Sequence, residues 1–139
     1  MRLIHTSDWH LGRSLHGVDL LEHQAAHLDH LVDLTRSVRP AAVLVAGDVY
    51  DRAVPPVGAV EVLEDTLARL AELTRVIIIS GNNDSATRLG FGAALMRPEI
   101  QLFTGIGRVG QAVELADPGG GAAALVYPIP FLDVYEAQV

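Results

Sequence analysis

The chain has 139 residues, half of them hydrophobic, with a formal net charge of −7 and no cysteine. That length and apolar content predict one globular domain, or part of one, with a proper core, and exclude an intrinsically disordered segment. The lack of cysteine excludes a disulfide framework and thiolate metal sites. The acidic balance argues against a strongly basic nucleic-acid module, yet leaves DNA or RNA open as a substrate, because bound divalent cations offset clustered carboxylates locally. The N-terminus reaches polar and charged residues too soon for a signal peptide, and no apolar run approaches the roughly 20 residues of a membrane helix. A soluble, cytoplasmic protein with no membrane partner is the expectation.

In chain order, Leu3-Ile4 opens a short strand that stops at Thr6-Ser7-Asp8. Over about 20–38 the spacing of Leu28, Leu31, Val32 and Val38 predicts a helix, with Pro40 just beyond it. The run Ala42-Val43-Leu44-Val45-Ala46 predicts a second strand, ending at Gly47-Asp48. Pro55-Pro56 then introduces a second helix over about 57–73, with Val60, Leu63, Leu67 and Leu70 inward and Glu61, Glu64, Asp65 and Glu72 outward. Val76 to Ile79 is a third strand, stopped by Gly81-Asn82, and a third helix is expected from Asp84 or Ser85 to about Arg97. Short strands follow over 101–104, 112–115 and 123–127, with Gly119-Gly120-Gly121 as a hairpin connection. Strand alternating with helix predicts an α/β fold, a parallel sheet covered by helices.

In an open parallel sheet, ligands bind beyond the carboxyl ends of the strands. Those ends carry Asp8 and His10, then Asp48, then Asn82, Asn83 and Asp84. Asp8 and His10 are two apart, so in extended chain they project to one side. Gly47 and Gly81 let the backbone come close to a ligand. Two carboxylates, an imidazole and an amide oxygen suit a hard or borderline divalent ion such as Mn²⁺. Asp48, on the middle of the three strand ends, is the natural bridge between two cations roughly 3.5–4 Å apart, a spacing that clamps both oxygens of a phosphoryl displacement.

Each residue also has an ordinary reading. Asp and Asn form turns, Asp84 suits the N-cap of the third helix, and Asp51 suits a turn or a partner to a ligand. Three consecutive strands ending in metal-competent groups exceed what turn chemistry requires. His23-Gln24-Ala25-Ala26-His27 has the spacing of a zinc helix, but Gln24 stands where a general-base Glu is needed, so His23, His27 and His30 read as helix-surface residues. Arg13 and His16 read as solvated loop residues within reach of a phosphate. Gly105, Gly107 and Gly110 lack the strand-to-helix context of a nucleotide fingerprint.

The segments SDWHLG (Ser7 to Gly12), AGDVYDRAVPP (Ala46 to Pro56) and SGNNDS (Ser80 to Ser85) resemble the calcineurin-like metallophosphoesterases. With HTSDWHLGRSLHG, EHQAAHLDHLVDL, VAGDVYDRAVPP and YPIPFLD, the chain is similar to the SbcD-type nuclease branch of that family. The resemblance implies a helix-covered sheet that is half of a β-sandwich core. It also implies a two-metal hydrolase, Mn²⁺-dependent with Mg²⁺ as the alternative, acting on DNA as exonuclease and endonuclease in repair, recombination and replication. Its implied partners are an SbcC-like SMC-type ATPase and a second nuclease subunit in a homodimer. By position, Asp8 and His10 would hold the first metal, Asp48 would bridge, and Asn82 would bind the second. Asn83 stands where the family's Gly-Asn-His-Asp motif has its catalytic histidine, which implies impaired turnover, and Asp84 would support the site from behind. No histidine follows His30, whereas the family completes its sites with later histidines, including Gly-His-x-His. Residues 1–139 are therefore expected to be the N-terminal part of such a domain, with incomplete metal sites. The alternatives are a phosphatase or cyclic-nucleotide phosphodiesterase of the same family, or a non-catalytic metal- or partner-binding domain.

Overall fold

Valine, isoleucine and leucine runs bounded by Gly, Pro and Asp set the strands, since β-branched side chains fit a pleated surface. The computed structural model describes residues 1–117, 119–121 and 123–135. Its elements are β1 (Leu3–Thr6), β2 (Ser14–Leu15), β3 (Val18–Asp19), α1 (Leu21–Val38), β4 (Ala42–Ala46), α2 (Val57–Ala71), β5 (Arg75–Ile79), α3 (Ala86–Leu89), β6 (Ile100–Phe103), β7 (Val113–Leu115) and β8 (Ala124–Val126). Strands β1, β4, β5 and β6 form one parallel sheet in the order β1-β4-β5-β6, as the strand–helix alternation predicts. Thr6 is level with Val45, Val45 with Ile78, and Ile78 with Leu102, so the carboxyl ends of the four strands finish along one edge.

Alternate residues face opposite sides of a strand. Val43, Val45, Val76 and Ile78 therefore meet α1 and α2 through Leu28, Leu31, Val32, Ala59, Leu63, Leu67 and Leu70. On the other face, Ala42, Ile77 and Phe103 meet Val113 and Leu115 of the antiparallel β7–β8 pair. Apolar residues thus occupy both sides of β5, which explains its unbroken Val-Ile-Ile-Ile run. The Arg75 guanidinium ties the two layers, donating to the Glu114 carbonyl (2.7 Å) and to Gln101 Oε1 (2.7 Å).

Three local features differ from the sequence expectation. The third helix is four residues long, Ala86–Leu89, followed by a separate 3-10 turn at Ala93–Leu95. Gly90 stands at its C-terminal cap, and Gly92, left-handed at φ 74°, redirects the chain into the 3-10 turn. Val60 is exposed, because Ala59 and Leu63 take the inward positions of α2. The β2–β3 ribbon was not apparent from periodicity; His16 (φ 50°) and Gly17 (φ 77°) supply the two left-handed residues that a tight hairpin turn needs. No helix among the described residues is long and apolar enough to cross a membrane.

Candidate metal centre

Beyond the last paired residues of β1 and β4 the backbones stay zipped together. The Asp8 N–H donates to the Gly47 carbonyl (3.0 Å), His10 to Asp48 (3.0 Å), Leu11 to Val49 (2.9 Å), and Asp51 back to Leu11 (3.1 Å). The loop after β5 closes on this pair. A β-carbon at Gly81 would overlap the Asp48 backbone and carboxylate, so glycine alone allows that approach.

Asp84 locks the closure. Its Oδ2 accepts from the Gly81 N–H (2.8 Å) and the Val49 N–H (3.2 Å), and its Oδ1 accepts from the Tyr50 N–H (2.9 Å). With its carboxylate committed to three backbone donors, Asp84 does not cap α3. Ser85 does so, its Oγ accepting from the Arg88 N–H (3.2 Å). Burial, and then the nearby Asp84 carboxylate, raise the pKa of the Tyr50 phenol, so that side chain stays neutral beside the site.

Three of the four predicted ligands, Asp8, His10 and Asp48, converge, but not by the extended-chain route. Asp8 (φ 57°), His10 (φ 46°) and Asp48 (φ 50°) are all left-handed, and they are three of the five such non-glycine residues among the described ones. Strain of this kind concentrates at functional sites. His10 Nε2 lies 3.6 Å from Asp8 Oδ1 and 3.9 Å from Asp48 Oδ2. One donor atom from each of the three residues falls within 4.8 Å of the others. A divalent cation roughly 2.1 Å from its ligands separates neighbouring donors by about 3 Å and opposite ones by about 4 Å, so the trio fits one. On the far side of the ring, His10 Nδ1 sits 3.2 Å from Asp51 Oδ1, a close polar contact that is off the axis of an aligned hydrogen bond. A carboxylate behind a histidine in this way orients the ring and leaves Nε2 to face the cation.

Asp48 is buried, whereas Asp8 is open to solvent. The Asp48 carboxylate is gripped by Asn83, whose backbone N–H donates to Oδ1 (3.0 Å) and whose side-chain Nδ2 donates to Oδ2 (3.0 Å). Asn83 thus touches the bridging candidate itself. Asn82 is exposed in the turn after β5. His23, His27 and His30 are exposed on α1, outside the ligand trio; His23 and His27 border a cleft of about 220 Å³ that also reaches Ser7 and Asp8. Arg13 and His16 are exposed in the β2–β3 region. Gln24 is a contributor the sequence reading missed: it bonds to the backbone of the His10 loop, and only its place in the first turn of a helix following that loop hinted at it.

Residues 1–133 match the family model described as calcineurin-like phosphoesterase. The chain is also similar to SbcD, a subunit of the SbcCD nuclease, from Staphylococcus saprophyticus, with 33% identity over 141 aligned positions, covering 99% of this chain and 36% of that relative. The chain therefore spans little more than a third of the length of that relative.

Proposed function

The chain belongs to the calcineurin-like phosphoesterase family, and from that premise we propose that it is the N-terminal, ligand-bearing part of a DNA nuclease of the SbcCD type. The proposal covers residues 1–139 as part of a larger catalytic domain, in the cytoplasm, working with DNA, an SbcC-like ATPase and a second nuclease subunit. The observation that carries it is the convergence of Asp8, His10 and Asp48, all left-handed, at the ends of adjacent parallel strands. The similarity to a nuclease subunit along nearly the whole chain supports the choice of DNA.

In this reading Asp8 and His10 would hold one divalent cation, Asp48 would be shared with a second, and Asn82 would contribute to the second. Mn²⁺ suits this mixed oxygen and imidazole set, with Mg²⁺ as the alternative. Bound cations would supply Lewis-acid stabilisation of the phosphate oxygens and lower the pKa of the attacking water. The chain's own part is positioning: Asp51 orients the His10 ring, Asp84 holds the loops after β4 and β5 at fixed spacing, and Asn83 holds the Asp48 carboxylate. The Asn83 amide has no accessible pKa with which to give a proton to a leaving group, and general acid catalysis contributes about 10²–10⁴-fold. Turnover is therefore impaired in this chain.

The test is Asn83→His. The Asn83 backbone bond to Asp48 survives the change, so the site keeps its frame. In a protein that carries the rest of the catalytic domain, Mn²⁺-dependent cleavage of linear and hairpin DNA should rise by about 10²–10⁴-fold. Robust hydrolysis of small phosphodiesters with no cleavage of DNA would point instead to a phosphatase or cyclic-nucleotide phosphodiesterase. The hydrogen bonds from Asn83 to both Asp48 oxygens favour one further reading, a non-catalytic metal- or partner-binding domain. That reading prevails if the histidine variant binds Mn²⁺ and cleaves nothing.

A further inference from the structure

We infer that Gln24 is a positioning residue for the metal centre: its carboxamide fixes the Trp9–Gly12 turn and thereby the His10 imidazole. The inference rests on the metal-site reading above. Gln24 lies in the first turn of α1, its own N–H donating to the Leu20 carbonyl (2.9 Å). Its side chain makes three bonds to one turn. Oε1 accepts from the Gly12 N–H (3.1 Å), while Nε2 donates to the His10 carbonyl (2.7 Å) and the Trp9 carbonyl (3.3 Å). The partners fix the orientation of the amide, since a backbone N–H needs the oxygen and two carbonyls need the nitrogen.

The turn needs such a clamp. His10 is left-handed at φ 46°, a strained state for a residue with a β-carbon, and Gly12 follows at φ 91°. The His10 N–H is held by Asp48, but its carbonyl points the other way, to the Arg13 N–H (3.1 Å) and to Gln24. Rotation of that peptide would carry the ring away from Asp8 and Asp48. One acceptor and two donors in a plane are what an amide offers and a carboxylate of the same shape does not. The glutamine that spoils the zinc-helix pattern at His23–His27 is thus the residue type this turn demands. Gln24→Glu keeps the acceptor for Gly12 but sets an anionic oxygen against two carbonyls. Gln24→Met removes all three bonds without adding charge.

The experiment compares the parent protein with both variants by Mn²⁺ titration, by pulsed electron paramagnetic resonance for ¹⁴N coupling from a bound imidazole, and by thermal melting. Removing a partner that orients a metal-binding histidine weakens affinity about 10–100-fold. Both variants should show that loss together with the loss of the ¹⁴N coupling, while still melting cooperatively. A cooperatively melting variant with parental Mn²⁺ affinity and parental coupling overturns the inference and leaves the metal-site reading intact. Failure of the parent itself to bind Mn²⁺ overturns both. If neither variant folds, amide hydrogen exchange of the metal-free parent decides: a protected Gly12 N–H supports the clamp, and exchange at the rate of an open chain overturns it.

Discussion

At the candidate metal centre, Asp8, His10 and Asp48 each hold a conformation that raises the free energy of a non-glycine residue by about 1–3 kcal/mol. Such residues stay put only when their surroundings over-determine them, and here the restraints are hydrogen bonds to the flanking peptides. Asp84 is among the most heavily used, with one carboxylate accepting from Val49, Tyr50 and Gly81. Asp84→Ala leaves three half-buried donors without that acceptor and should lower unfolding free energy by about 2–3 kcal/mol, since hydrogen bonds to charged groups count for more than neutral ones. A denaturant titration measures it, and a change below about 0.5 kcal/mol would mean that water replaces the carboxylate freely. The residue types at these positions were visible in the sequence, where Asp84 read either as a helix cap or as a support behind the site. Asp84 has the composition of a helix cap and serves as a clamp, and the cap falls to its neighbour Ser85, because the β5 loop turns the carboxylate back toward β4.

At the scale of elements, α1 and α2 were legible because their apolar positions repeat at helical spacing over four or more turns. The end of the third helix was not, since Gly90 and Gly92 interrupt a segment whose other residues favour helix. The two long helices hold to the sheet by apolar burial, with one ion pair between them as a minor addition. Leu28 is wholly buried between α1 and the sheet, and Leu28→Ala should lower stability by about 2–5 kcal/mol through lost transfer energy and the cavity left behind. Arg69 on α2 reaches Asp29 on α1 and Asp65 on its own helix, and these partners raise its pKa, yet all three side chains are open to solvent. Arg69→Ala should therefore change stability by no more than about 1 kcal/mol. Calorimetric melting of the two variants side by side checks the ranking, and the reverse order would place the helix–helix energy in the ion pairs.

For the whole molecule, the net charge of −7 opposes association with DNA, and the exposed Asp8 adds to that opposition at the site itself. On the DNA reading, divalent cations are then a condition of binding as well as of chemistry. Fluorescence anisotropy of a labelled duplex should show no retention in chelator and retention in millimolar Mn²⁺; equal retention in chelator would point to a metal-independent contact surface. The sequence alone determined the strand–helix alternation, the parallel sheet and the identity of the groups at its carboxyl edge, because periodicity, punctuation and residue type are local properties. Tertiary structure decided how those groups meet. The meeting of Asp8, His10 and Asp48 depends on left-handed turns, on the closure of the β5 loop over Gly81, and on hydrogen bonds that Gln24 donates to the His10 carbonyl, Asn83 donates to the Asp48 carboxylate and Asp84 accepts from the Val49 N–H, across 14 to 35 residues of chain. Contacts at that separation leave no periodic trace, so only the folded chain brings them into view.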